Sequence, residues 1–113
     1  MMANKLKYDP FMLIVDQTVR CNEACFFCWR ADPKRVKEKT AMAYDKVYDM
    51  PFDMCKEIID QASVYKSFRT FNVCGPMGDP LLVSDIAERG LYATGKGFKD
   101  RMLNTNGVAA DRL

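Results

Sequence analysis

The chain predicts an α/β fold built on a parallel sheet, and three observations lead there. Phe11-Met12-Leu13-Ile14-Val15 is a continuous apolar run, and non-alternating runs of this length mark strands buried on both faces under covering helices. Phe52, Cys55, Ile59, Ala62 and Tyr65 recur at helical spacing, with Ile58 beside them and Lys56, Glu57, Asp60 and Gln61 opposite, the pattern of a helix laid on a sheet. Strand and helix signals then alternate along the chain, which implies right-handed βαβ crossovers.

The elements follow in order. After the first strand a cysteine-rich loop opens, and a polar, lysine-rich connection fills residues 29–49. Its basic run, Lys34 to Lys39, reads as a solvated face. Arg20 and Arg30 bracket the cysteine loop, available to an anionic group or to a carboxylate, and Trp29 is placed to shield the loop from water. Met50-Pro51-Phe52-Asp53 starts the first helix, with proline near the first helical position and aspartate in the first turn. Arg69 to Cys74 is a second strand, and Gly75-Pro76-Met77-Gly78-Asp79-Pro80 a preset turn whose glycines let backbone groups approach a ligand. Ser84 to Thr94 reads as a second helix, weakened by Gly90 and ended by Gly95 or Gly97. A third strand over Phe98 to Thr105 closes in Thr105-Asn106-Gly107, and Asp111-Arg112-Leu113 starts a third helix.

Composition narrows the function. With 113 residues, 49% apolar and 28% charged, the chain is one small globular domain spanning 1–113. A net charge of +2 is too mild to argue for nucleic acid. There is no histidine, so Ser-His-Asp and Cys-His catalysis and histidine-ligated metals fall outside this chain. The first ten residues carry no apolar core of a signal peptide, and no run is long enough for a membrane span. Five cysteines, three of them clustered, do not form a secreted disulfide framework and suit the reducing cytoplasm.

The cluster is Cys21-Asn22-Glu23-Ala24-Cys25-Phe26-Phe27-Cys28. Thiolates this close in one loop can share a metal centre, either zinc or iron–sulfur. Three ligands suit a 4Fe–4S cube with one iron open, since the ordinary cube takes four cysteines. A fourth ligand from Cys55 or Cys74 would instead close a zinc or iron–sulfur site and make the chain a non-catalytic metal-binding module. Cys55 falls on the apolar stripe of the first helix, and Cys74 ends the second strand. Both read as packing thiols.

The motif resembles the radical S-adenosylmethionine superfamily, whose signature is CxxxCxΦC with Φ aromatic; Phe27 fills Φ. The resemblance implies a partial (β/α)6 TIM-like barrel. At about 30 residues per unit, scaled from eight-unit barrels, six units need roughly 190. The chain then corresponds to the N-terminal half, about three βα units, and is expected to be incomplete at its C-terminal side. The resemblance implies Cys21, Cys25 and Cys28 as ligands of the 4Fe–4S cluster, with S-adenosylmethionine chelating the fourth iron and Phe27 lying near the adenine. The turn after the second strand is similar to the family's GGEP segment in its GxxGDP form, which implies that Gly75, Gly78 and Asp79 receive the amino end of the cofactor, by the carboxylate or by backbone carbonyls. The family often ends its third strand in TNG near the cofactor, which brings in Thr105 and Asn106. The implied activity is reductive cleavage of S-adenosylmethionine to a 5′-deoxyadenosyl radical that abstracts hydrogen from a peptide or small-molecule substrate. The electron would come from a reductant such as flavodoxin or ferredoxin. The GxxGDP form resembles radical enzymes that often carry auxiliary clusters and modify peptides.

Overall fold

The computed structural model describes residues 8–21, 25, 28, 49–73 and 78–112. Three strands, β1 (Met12–Ile14), β2 (Thr70–Asn72) and β3 (Asp100–Met102), form one sheet in the order β1-β2-β3, parallel throughout. Helix α1 (Phe52–Ala62) lies between β1 and β2 in the chain, and α2 (Ile86–Gly95) between β2 and β3. The predicted α/β class and parallel pairing are therefore present.

Sequential strand order has a geometric consequence. Crossovers of one hand, repeated in one direction, stack both helices on the same side of the sheet. Register puts Leu13, Phe71 and Arg101 on one face, and Ile14, Asn72 and Met102 on the other. Both helices cover the first of these faces. A Cβ added to Gly90 of α2 would lie 3.3 Å from Arg101 Cδ, and Phe52 of α1 meets Tyr92 of α2 edge-on at 6.3 Å between centroids. The core gathers there around Phe71, Phe98, Ile59, Leu81 and Cys55, all with essentially no exposure. Burying one such Phe or Leu side chain stabilises by about 1.5–3 kcal/mol.

The second face departs from expectation. Its apolar residues Ile14 and Met102 are 57% and 41% exposed, so β1 is covered on one side only among the described residues. Phe11 is exposed as well. Only β2, flanked by both other strands, is buried at all three positions. An apolar cavity of about 310 Å3 opens between α2 and β3, lined by Ile86, Gly90, Leu91, Met102 and Leu103 among others.

The helices begin and end for local reasons. Pro51 caps α1 with φ −58°, Asp53 lies in its first turn, and Cys55 and Ile59 turn to the core. The stripe was expected to continue to Tyr65, but Ser63 N–H makes the last bond to Ile59 O, and Tyr65 is exposed beyond the helix, edge-on to Phe68. At Gly90 in helix α2 an added Cβ would crowd the Arg101 side chain. Its end is a Schellman arrangement: Gly97 N–H donates to Thr94 O and Phe98 N–H to Ala93 O, both at 3.1 Å, with Gly97 at φ +106°. The same residue that stops the helix thus drops Phe98 into the core. The predicted third helix start is a short 3-10 turn, Ala110–Arg112. A 3-10 turn at Pro80–Leu82 was not foreseen.

Candidate metal centre

The three predicted site segments follow β1, β2 and β3 and meet at the carboxyl edge of the sheet, where open α/β sheets and barrels hold their ligands. Cys21, Cys25 and Cys28 are half-buried free thiols. Cys28 N–H donates to Cys25 O at 3.0 Å, closing a turn between the second and third thiols. Asn106 Nδ2 approaches Cys21 Sγ at 3.8 Å, so the TNG turn touches the cysteine loop directly. Among the described residues no three Cys, Asp or Glu side chains converge as a metal-ligating group. The donor chemistry nevertheless fits an iron–sulfur cluster: three unpaired thiols in one loop, partly open to solvent, with an N–H donor beside one sulfur. Phe27, Trp29, Arg30, Cys74 and Gly75 lie outside the described residues.

Gly78 and Asp79 weld the turn after β2 to the cysteine loop. A Cβ on Gly78 would stand 2.4 Å from Thr18 O and 2.5 Å from Arg20 O, both backbone atoms with nowhere to go. Only glycine allows this approach. The next residue uses it: Asp79 N–H donates to Arg20 O at 2.8 Å. The Asp79 carboxylate, 4% exposed, accepts from Leu81 N–H at 3.0 Å, from Thr105 Oγ1 at 2.7 and 2.9 Å and from Asn106 N–H at 2.9 Å. It therefore caps the Pro80–Leu82 turn and grips the TNG turn at once. Thr105 Oγ1 in turn accepts from Gly107 N–H, and Asn106 Oδ1 from Val108 N–H.

A second network clamps the two ends of the excursion that carries the cysteines. Thr18 bridges antiparallel to Asp49, and Met50 N–H donates to Gln17 O at 2.8 Å. Arg20 meets Asp49 with two parallel bonds, Nε to Oδ1 at 2.9 Å and Nη2 to Oδ2 at 2.6 Å, and reaches Leu82 O at 2.7 Å. Thr18 Oγ1 donates to the same carboxylate. Burial disfavours a charged Asp49, yet the Arg20 and Thr18 hydrogen bonds and the charges of Arg20 and Arg89 outweigh it and hold the carboxyl below its ordinary value. Arg20, open in sequence to either an anion or a carboxylate, takes the carboxylate.

Arg89 closes the clamp from α2. Its side chain, 4% exposed, pairs with Asp85 at 2.7 Å, and Nη1 donates to Gln17 Oε1 at 2.9 Å and Met50 O at 2.7 Å. One guanidinium thereby holds both the departure and the return of the excursion. Sequence reasoning missed Gln17, Asp49 and Arg89. The Asp85–Arg89 spacing of four was a visible signal for the pair, but nothing in the linear pattern marked it as buried. Cys55 lies nearby with no exposure. Burial pushes its thiol up, against the pull of Arg89 and Gln17, so it is a poor thiolate donor.

No family model, no curated protein and no solved structure matches the chain. No helix among the described residues is long and apolar enough to cross a membrane.

Proposed function

We propose that the chain forms the first three βα units of a radical S-adenosylmethionine enzyme domain, a cytoplasmic protein with a partial (β/α)6 barrel. The observation that carries this reading is the contact of three motif-bearing turns at one sheet edge: Asp79 binds the backbone of Arg20 beside Cys21 and the Thr105-Asn106 turn, and Asn106 touches Cys21. Motifs that merely coincided in sequence would have no reason to meet.

In this reading Cys21, Cys25 and Cys28 hold a 4Fe–4S cluster, and Phe27, Gly75, Gly78, Asp79, Thr105 and Asn106 form the S-adenosylmethionine site. Once reduced, such a cluster would supply the one electron needed to cleave the sulfonium of S-adenosylmethionine into methionine and a 5′-deoxyadenosyl radical. The chain's own residues bind and orient: Gly78 brings the turn against the cysteine loop, and the Arg20–Asp49 and Arg89 clamp fixes where that loop begins. The partners are a one-electron reductant such as flavodoxin or ferredoxin and a peptide or small-molecule substrate. A closed four-cysteine zinc or iron–sulfur module built on Cys55 has the full burial of that thiol against it.

Anaerobic reconstitution with iron and sulfide, followed by electron paramagnetic resonance of the reduced protein, tests the proposal. A 4Fe–4S signal that changes on adding S-adenosylmethionine is expected, and Cys25→Ala should lose it. Zinc binding without any cluster, or a signal indifferent to the cofactor, would overturn the reading.

A further inference from the structure

The acidic residue of the GDP turn has two possible roles at such a site: it can meet the cofactor, or it can hold the parts that do. We infer that Asp79 is a positioning residue, a latch that seats the Thr105-Asn106 turn so that the Asn106 amide reaches Cys21 Sγ. This deepens the reading above and rests on it for the identity of the cluster, though not for the latch itself.

The bonding capacity of the carboxylate makes the argument. Two oxygens offer about four lone-pair sites. Leu81 N–H donates to Oδ1, Asn106 N–H to Oδ2, and the single Thr105 hydroxyl proton is shared between the two oxygens, at 2.9 and 2.7 Å from Oγ1. With three internal donors in place and only 4% of the residue exposed, the carboxylate is bonded within the chain and turned away from solvent. Three of the turns at this edge meet on this one residue: its N–H takes the cysteine loop through Arg20 O, and its carboxylate takes the 3-10 turn and the TNG turn. Two backbone N–H groups and a hydroxyl converge on the two oxygens of this one carboxyl group, and hydrogen bonds to carboxylates are the stronger class. The last link is Asn106 Nδ2 on Cys21 Sγ at 3.8 Å, a donor to a sulfur of the kind that sets cluster potentials.

The experiment begins with metal-free protein. Amide hydrogen exchange at Asn106 should accelerate about tenfold or more in Asp79→Asn, from loss of a charge-assisted bond. It should accelerate also in Thr105→Val and return toward wild type in Thr105→Ser, which keeps the hydroxyl. Unchanged exchange at Asn106 in Asp79→Asn overturns the latch. In the reconstituted protein, Asn106→Ala should lower the cluster reduction potential, and Asp79→Asn should lower it in the same direction but add little in the Asn106→Ala background. Full additivity of the two shifts overturns the link from Asp79 through Asn106 to Cys21. If the wild-type protein assembles no cluster, the enzyme reading falls while the exchange measurement still decides the latch.

Discussion

Two arginine–aspartate pairs of almost the same length lie at opposite ends of the sheet. Arg69 meets Asp100 at 2.6 Å at the amino edge, with both side chains at least half exposed, whereas Arg89 meets Asp85 at 2.7 Å beside the carboxyl edge, with the guanidinium 4% exposed. The first joins two strand ends that the ladder already pairs. The second also holds the Gln17 side chain and the Met50 carbonyl, reinforcing the backbone bond from Met50 N–H to Gln17 O. Water reaches both partners of the first pair but only the carboxylate of the second, so equal distances carry unequal energies. The same contrast separates the outer surface, where Asp60 bonds Tyr92 and Lys96 in the open, from the buried Asp79 and Arg89 networks that shape the loops.

The contrast can be broken at several points. Arg89→Ala should have the largest effect, because it leaves the buried Gln17 amide oxygen and the half-buried Met50 carbonyl without their donor, at about 1–3 kcal/mol each. The urea midpoint measures it, and a shift no larger than that of an exposed residue would refute the contrast. Gly78→Ala comes next. Its Cβ would collide with two backbone oxygens, and overpacking of this kind costs about 1–3 kcal/mol. Faster exchange of the Asp79 amide would report the turn lifting from Arg20.

The Asp49 carboxyl gives a pH-dependent test. Its folded pKa lies below the reference value of 3.8, so the stability it contributes is complete above that value. As pH falls through the folded pKa, that stability is lost. The difference in urea midpoint between wild type and Asp49→Asn should therefore be full at neutral pH and shrink in strong acid. Cysteine reactivity separates core from loop: iodoacetamide should label Cys21, Cys25 and Cys28 in the folded metal-free protein and spare Cys55 until urea unfolds it, as read by peptide mass spectrometry. The smallest effect belongs to Arg69→Ala, which should leave the urea midpoint within error, because its pair is open to solvent.

Much of the fold was legible because it rests on local chemistry. The apolar run Phe11 to Val15, the stripe that starts at Phe52 and the glycines Gly95 and Gly97 pointed to the first strand, the first helix and the end of the second helix. The limits were less legible. Tyr65 continues the helical spacing, yet the chain turns after Ala62, and spacing alone carries no information about where the sheet stops needing cover. The run Phe11 to Val15 reads as buried on two faces because its five apolar residues do not alternate, but Ile14 of β1 faces the side that neither helix covers.

The site divides along the same line. The cysteine spacing, the glycine–aspartate turn and the TNG turn are visible in sequence as separate marks. That Asp79 spends its carboxylate on Thr105 and Asn106, some 26 and 27 positions away, is not. Nor is the choice of Arg89, 72 positions from Gln17, as the clamp on the cysteine excursion.

The sequence by itself determined the alternation of strand and helix and the presence of three thiols in one loop, because periodicity and spacing are properties of neighbours along the chain. Only the tertiary structure decided which polar groups are buried and what each is bonded to. Burial depends on how remote segments stack, and a carboxylate or guanidinium acquires its meaning from partners that the linear order does not bring near.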